Sequence, residues 1–231
     1  MTRTLSIALM LLGGAAACSP SKPAKPKSEV WVSPFIRAQM AERARTDTRP
    51  DSFTSAADLG RVVGEPTAPV WVVMVSDFQC ADCKRWYDEV YPLVKKEYVA
   101  TGRVRFAYIN MPSSAHLNGM LSALAAACAS AEGKFWETSG RLFETQALWK
   151  DLPDARPFLD SLAIAAGVDA KTQRLCTERA RSMKLVQTDI ARGQAAGVDS
   201  LPTFFVGTHK VLGPAPFITF RAVIESALAG R

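Results

Sequence analysis

Histidine is scarce in this chain and cysteine nearly so: 231 residues hold two of the first and five of the second. Five cysteines are too few for a small disulfide-held scaffold, so each has to be considered for its own chemistry. Two isolated histidines, His116 and His209, leave a zinc site poorly supplied, because neither is spaced with another ligand. No dense basic block alternates with exposed aromatics, although the formal net charge is +6, and this argues against nucleic-acid binding. What remains is ordinary globular composition, 48% hydrophobic and 22% charged, enough for one sizeable core with room for a second subdomain. Disordered, collagen-like and coiled-coil chains are excluded.

The start of the chain has the form of an address. Arg3 precedes the apolar run Leu5 to Leu12, which leads into small residues at Gly13 to Ala17, as in a secretory signal over residues 1–17. The run is too short to stay in a bilayer as a spanning helix. Ala15-Ala16-Ala17-Cys18 reads either as an A-x-A cleavage site or as a lipobox that makes Cys18 the acylated first residue, although a lipobox commonly has Leu where Ala15 stands. Giving Cys18 to lipid leaves four thiols, an even number suited to an oxidising compartment, and lipidation at Cys18 is the reading adopted. Ser19, rather than Asp, follows Cys18, so the usual inner-membrane retention signal of Gram-negative lipoproteins is missing. Residues 18–57 read as a tether and N-terminal extension. Lys22, Lys25 and Lys27 fit a solvated linker or a contact with anionic headgroups. A helix is expected from Pro34 to Arg45, followed by a polar stretch from Thr46 to Ser55.

Val70-Trp71-Val72-Val73-Met74-Val75 is a β-branched apolar run of strand length, bounded by prolines before it and Ser76-Asp77 after it. It reads as a buried central strand. Cys80-Ala81-Asp82-Cys83 follows at once, and then an amphipathic helix with Trp86, Val90, Leu93 and Val94 on one face. This places Cys80 at a helix N-terminus, where unpaired N–H groups and the helix dipole favour a thiolate, the attacking species in disulfide exchange. Cys83, one turn on and facing inward, is placed to attack a mixed disulfide and release its partner. Half of a zinc site and a static local disulfide are the other readings of such a pair.

The stretch from Ala68 to Lys84, which contains Asp77-Phe78-Gln79-Cys80-Ala81-Asp82-Cys83, together with Leu201-Pro202-Thr203-Phe204-Phe205-Val206-Gly207, resembles the DsbA-like thiol:disulfide oxidoreductases of bacterial envelopes. The similarity runs from about Gly60 to Ala229. It implies an α/β thioredoxin-like fold with an inserted helical subdomain: core over residues 58–112 and 197–231, insertion over 113–196. It also implies a cis peptide bond before Pro202 and a loop facing the cysteines, where Leu201, Pro202 and Thr203 contact an extended substrate peptide. Many oxidising relatives place Pro-His or Pro-Tyr between the cysteines, where this chain has Ala81-Asp82. A carboxylate there opposes the Cys80 thiolate, so Asp82 is expected to move the couple toward the reducing end of a range of roughly −120 to −270 mV, the alternative being a solvated helix-start residue with little effect.

Between the two motifs the apolar pattern is helical. Leu117, Met120, Leu121, Leu124 and Cys128 recur at helical spacing from Ser114 to Glu132, and further helices are expected over 133–148, 157–166, 170–181 and 182–195, with stops at Gly167 and Gly197. Cys128 and Cys176 read as buried thiols or as a bridge. Some members of the resembled family carry a second, structural disulfide at similar positions, which favours pairing. His116 reads as a surface residue at a helix start, although the resemblance puts it near polar residues beside the active-site groove and leaves a direct redox role as the alternative; His209 reads as part of a hairpin turn. Trp71, Trp86, Trp136 and Trp149 read as packing residues, and the stripe Phe217, Phe220, Ile224, Leu228 as a closing helix that covers the sheet.

The resemblance implies an exported oxidoreductase that exchanges disulfides through Cys80 and Cys83, needs no cofactor or metal, and acts on cysteine-containing envelope proteins with a redox partner protein. It would sit in the cell envelope, tethered through Cys18. A redox-inert chaperone or metallochaperone lipoprotein, using the same groove to hold extended peptides or a soft metal, is the rival expectation.

Overall fold

The longest β-branched run of the chain forms the middle of its sheet. The computed structural model describes residues 52–230; the signal, Cys18, the tether and the expected helix at 34–45 lie outside the described residues. Strands β1 (Val62–Val63), β2 (Val70–Ser76), β3 (Val104–Asn110), β4 (Thr203–Val206) and β5 (His209–Leu212) form one sheet in the order β1-β3-β2-β4-β5. β2 runs parallel to β3, from Val70 opposite Val104 to Ser76 opposite Asn110, and antiparallel to β4, with Val75 opposite Thr203. Six of the seven β2 residues are buried, because both faces of the strand are covered. Val72 and Met74 face one apolar cluster with Trp86, Phe106 and Phe220, while Val73 and Val75 face another with Ile109 and Phe205.

Helix α1 (Ser52–Gly60) precedes the sheet, and α2 (Ala81–Glu89) and α3 (Tyr91–Val94) follow β2. The expected amphipathic helix after the cysteines is thus two pieces. Pro92 has no N–H to continue the helical ladder, so a new start is made at Val90 and the phase shifts. Trp86, Val90 and Val94 stay buried, but Leu93 turns outward at 38% exposure, contrary to the sequence pattern. Trp86 holds α2 to the sheet, its ring centre 4.3 Å from that of Phe204 and 4.9 Å from that of Phe220. Burying a side chain of this size contributes on the order of 2–3 kcal/mol, which fixes the helix that carries both cysteines.

Six helices lie between β3 and β4: α4 (Gly119–Ala131), α5 (Phe135–Glu144), α6 (Gln146–Trp149), α7 (Arg156–Ala165), α8 (Ala170–Glu178) and α9 (Met183–Ala195). Ten of the thirteen residues of α4 are buried, as expected of a helix apolar on all sides and enclosed by its neighbours. It begins at Gly119, not Ser114, and Leu117 lies before it, 65% exposed. Gly167 and Gly197 follow α7 and α9 at φ of +99° and +65°, a conformation that stops a helix without steric cost in glycine. A closing helix, α10 (Phe217–Ala229), lays Phe220 and Ile224 on the sheet.

α1 occupies part of the stretch expected to be polar and irregular. Its Ala57 is buried against α4, where Ser130 Oγ donates to the Ala57 carbonyl at 2.5 Å. A buried ion network ties α1 to the far side of the insertion. The Arg61 guanidinium meets Asp58 and Asp189, and Asp189 Oδ2 also accepts from the Asn110 backbone and side-chain amides, each at 3.0 Å. The end of β3 is thereby anchored to α9. Among the described residues no helix is long and apolar enough to cross a membrane.

Candidate active site

Cys80 is the N-cap of α2, with extended backbone (φ −72°, ψ 122°), and its sulfur accepts the Cys83 N–H at 3.2 Å. A sulfur at this position satisfies one of the helix's orphan donors and sits at the positive end of its dipole. Cys80 is half-buried and Cys83 fully buried, and neither is in a disulfide. The Cys80 sulfur also lies 3.9 Å from the carbonyl oxygen of Leu201, and the Leu201–Pro202 peptide bond is cis. Two segments 121 positions apart are therefore opposed across the front of the sheet.

The two thiols are driven apart electrostatically. The hydrogen bond with the Cys83 side chain is the largest influence on Cys80, and with the Cys83 and Asp82 N–H groups it holds the thiol below its ordinary value, against partial burial and the charge of Asp77. For Cys83, burial pushes the thiol well up, and the neighbouring Cys80 sulfur adds to this. One sulfur is thus prepared as a thiolate and leaving group, while the other is kept protonated.

A cleft of about 410 Å³ opens beside Cys80, lined by Met111, Ser113, His116, Asp199 and Leu201 among others. His116 Nδ1 lies 2.6 Å from Oδ2 of the buried Asp77, which also accepts the Ser113 N–H at 2.8 Å. Gln79 holds the cysteine loop to the insertion: its Oε1 accepts from Asn118 N–H at 2.7 Å, and its amide donates to the Lys150 carbonyl at 3.0 Å. Gln146 completes the clamp by donating to the carbonyls of Phe78 and Cys80 at 2.6 and 3.1 Å. Sequence reasoning missed Asp77, Gln79, Asn118 and Gln146, and for His116 preferred a surface role over the groove-side one that the structure places it in. Asn118 before a helix is a recognisable cap type, but nothing in the sequence marks Gln146.

A family model described as Thioredoxin matches residues 56–226. The chain is 25% identical over 176 residues to Disulfide bond formation protein D of Bacillus subtilis, covering 74% of this chain and 78% of that one. The structure of oxidised BdbD from Bacillus subtilis superposes with a TM-score of 0.68 at 25% identity, covering 74% of this chain and 95% of that one. The chain belongs to the DsbA-like thioredoxin-fold family. Wolbachia pipientis alpha-DsbA1 shares the fold, with a TM-score of 0.65 at 19% identity over 74% of this chain and 91% of that one. The chain also matches the Na(+)/H(+) antiporter NhaA 3 of Salinispora tropica, 29% identical over 74% of its own length, but spans only 25% of that protein. With the DsbA-like family comes the enzyme class, disulfide oxidoreductase.

Within this DsbA-like site the Ala81-Asp82 dipeptide lies on the surface. Asp82 points to solvent, 53% exposed, and pairs with Arg85 one helical turn on at 2.8 Å. The carboxylate that pushes against the Cys80 thiolate is that of Asp77, while the backbone N–H of Asp82 acts in the other direction. Thr203 is buried, with its hydroxyl donating to the Ser200 carbonyl at 2.7 Å, so its side chain supports the loop from within. Cys128 and Cys176 meet in a disulfide between α4 and α8, with Cα atoms 5.9 Å apart, and neither lines the cleft. His209 is exposed at the start of β5. Among the described residues no group of three or more His, Cys, Asp or Glu side chains is placed to hold a metal ion.

Proposed function

We propose that Cys80 and Cys83 are the exchanging pair, and that the chain makes or breaks disulfides in cysteine-containing exported proteins. The observation that carries this is the Cys80 sulfur at the N-cap of α2, bonded to the Cys83 amide and opposed by the Leu201 carbonyl. In the oxidised enzyme a substrate thiolate attacks Cys80, a mixed disulfide forms and Cys83 leaves. A second substrate thiolate then attacks the mixed disulfide and Cys80 leaves as a stabilised thiolate, so two electrons pass from the substrate dithiol to the enzyme. The reverse sequence reduces a substrate disulfide. The substrate backbone runs in extended form past Leu201, pairing beside the cis proline. A redox partner protein restores the starting state, and no cofactor takes part in exchange. Ala81 and Asp82 offer no side-chain donor to the sulfur, which is supported by the Cys83 thiol and by the backbone amides of Cys83 and Asp82.

We further propose that the protein is exported and held at a membrane through acylated Cys18, with the segment after it as a tether. Cys80→Ser tests the central reading: insulin reduction and dithiol oxidation are both expected to stop, whereas turnover that survives the substitution contradicts it. Cys83→Ser should accumulate mixed disulfides with exported proteins, visible as species that disappear on reduction. Labelling with a radioactive fatty acid should mark the wild-type chain and not Cys18→Ala.

A further inference from the structure

Asp77 leaves β2 with its side chain wholly buried, an expensive place for a carboxylate unless it is well supplied with donors. Three converge on it: the Gln79 N–H at 2.8 Å on Oδ1, and the Ser113 N–H at 2.8 Å and His116 Nδ1 at 2.6 Å on Oδ2. Two of the three are backbone amides. The third belongs to an imidazole that is 30% exposed and lines the same cleft as Cys80 and Leu201. With Nδ1–H committed to the carboxylate, Nε2 is the ring nitrogen left to accept a proton. Gly119 makes room for the pair. A Cβ there would lie 3.0 and 3.1 Å from the Asp77 carboxylate oxygens and 3.2 Å from the His116 Cβ.

Exchange through Cys80 needs such a group. A substrate arrives as a thiol and must become a thiolate, and Cys83, which is buried and kept protonated, must take up a proton when it leaves. Among the described residues, the charged or titratable side chains that line the cleft with the imidazole are Cys80 at the cap of α2 and Asp199 on the loop before β4, and Asp77 is bonded to its Nδ1. Asp77 is already bonded to His116, and Asp199 is exposed at the rim.

We propose that His116, oriented by Asp77, is the acid–base residue of the cleft and carries the substrate-side proton during exchange. This rests on the reading of Cys80 and Cys83 as the exchanging pair. In the oxidising direction the substrate S–H proton passes to Nε2, and the substrate sulfur bonds to Cys80 Sγ. The Cys80–Cys83 bond breaks, and its electron pair leaves on the Cys83 sulfur. The imidazolium releases its proton to water in the cleft and the Cys83 sulfur takes up one proton as it becomes a thiol, so the half-reaction is neutral overall. His116 is then a catalytic residue that touches substrate, and Asp77 a positioning residue acting through it.

The test is the rate of exchange with a synthetic dithiol peptide from pH 5 to 9, measured on the full chain for wild type, His116→Ala, His116→Gln, Asp77→Asn and Cys80→Ser. His209→Ala, which alters the other histidine, is the control. His116→Ala and His116→Gln should both slow exchange about a hundred-fold near neutral pH. Their rate–pH profiles should lose a limb that wild type and His209→Ala keep. The equilibrium with glutathione should move far less than the rate. Asp77→Asn should fall between these variants and wild type, and His209→Ala should match wild type. His116→Ala and His116→Gln profiles that run parallel to wild type, even with lowered melting temperatures, would reduce the pair to a structural brace and overturn the proposal. If Cys80→Ser is inactive in that case, only the histidine inference fails. An active Cys80→Ser overturns the cysteine reading and, with it, this one.

Discussion

Cys80 and Cys83 stand three positions apart, and the start of α2 gives them opposite environments. Donors from Cys83 and Asp82 lower the Cys80 thiol, and burial raises that of Cys83. A lowered thiol keeps its thiolate at pH values where an ordinary cysteine, titrating near about 8.5, is already protonated. Alkylation of the reduced protein with iodoacetamide should therefore modify Cys80 first, with a midpoint below that of an unperturbed thiol, and leave Cys83 unmodified. Equal reactivity of the two thiols would contradict the asymmetry. Cysteine spacing between a strand and a helix was enough to place both cysteines at the start of α2, because that placement has local causes. Asp77 and His116 were not legible in the same way. They are 39 positions apart, and nothing in the sequence pairs them, so the groove-side reading of His116 had no partner to favour it over a helix-start residue.

At the scale of elements, the cysteine loop is held by side chains from the insertion as much as by the sheet. Asn118 donates to the carbonyls of Trp149, Lys150 and Leu152 at 2.9 to 3.1 Å, and so ties the start of α4 to the end of α6. Asn118→Ala leaves these buried carbonyls without that donor and should cost about 1–3 kcal/mol, read as a lowered melting temperature. Exchange activity should fall with it, because Gln79 bonds to both Asn118 and Lys150. A variant with unchanged stability would show that the clamp contributes nothing. β2 was legible because its apolar run is unbroken, whereas of the helix after the cysteines only the start was legible, because Pro92 shifts the phase beyond Glu89. The residues just before α4 enter the helical pattern through Leu117, but here the backbone amides of Ser113 and Asn118 serve Asp77 and Gln79 instead, and Leu117 is left outside. α1 gave little signal, since a short helix with few apolar residues depends on tertiary packing, here Ala57 against α4.

Over the whole molecule, the redox site and the second cysteine pair are separate in space and in task. We assign the Cys128–Cys176 bridge to stability: it closes a 48-residue separation between two helices of the insertion. Replacing both with Ala should lower stability by about 3–4 kcal/mol, mostly through the unfolded chain. Exchange at Cys80 should continue in the remaining folded protein, whereas loss of exchange without loss of stability would mean that the second pair shares in the chemistry. The thioredoxin-like architecture was legible from two separated motifs and the helical pattern between them. The ion network of Asp58, Arg61 and Asp189 was not, because it joins residues from opposite ends of the described chain. The most direct test of the central claim is a redox titration of the full chain in glutathione buffers, with thiols alkylated, counted by intact mass and assigned by peptide mapping. Cys80 and Cys83 should gain and lose two thiols together in one reversible transition while Cys128 and Cys176 stay protected. Thiols at Cys80 and Cys83 that remain free at every potential would contradict an exchanging pair.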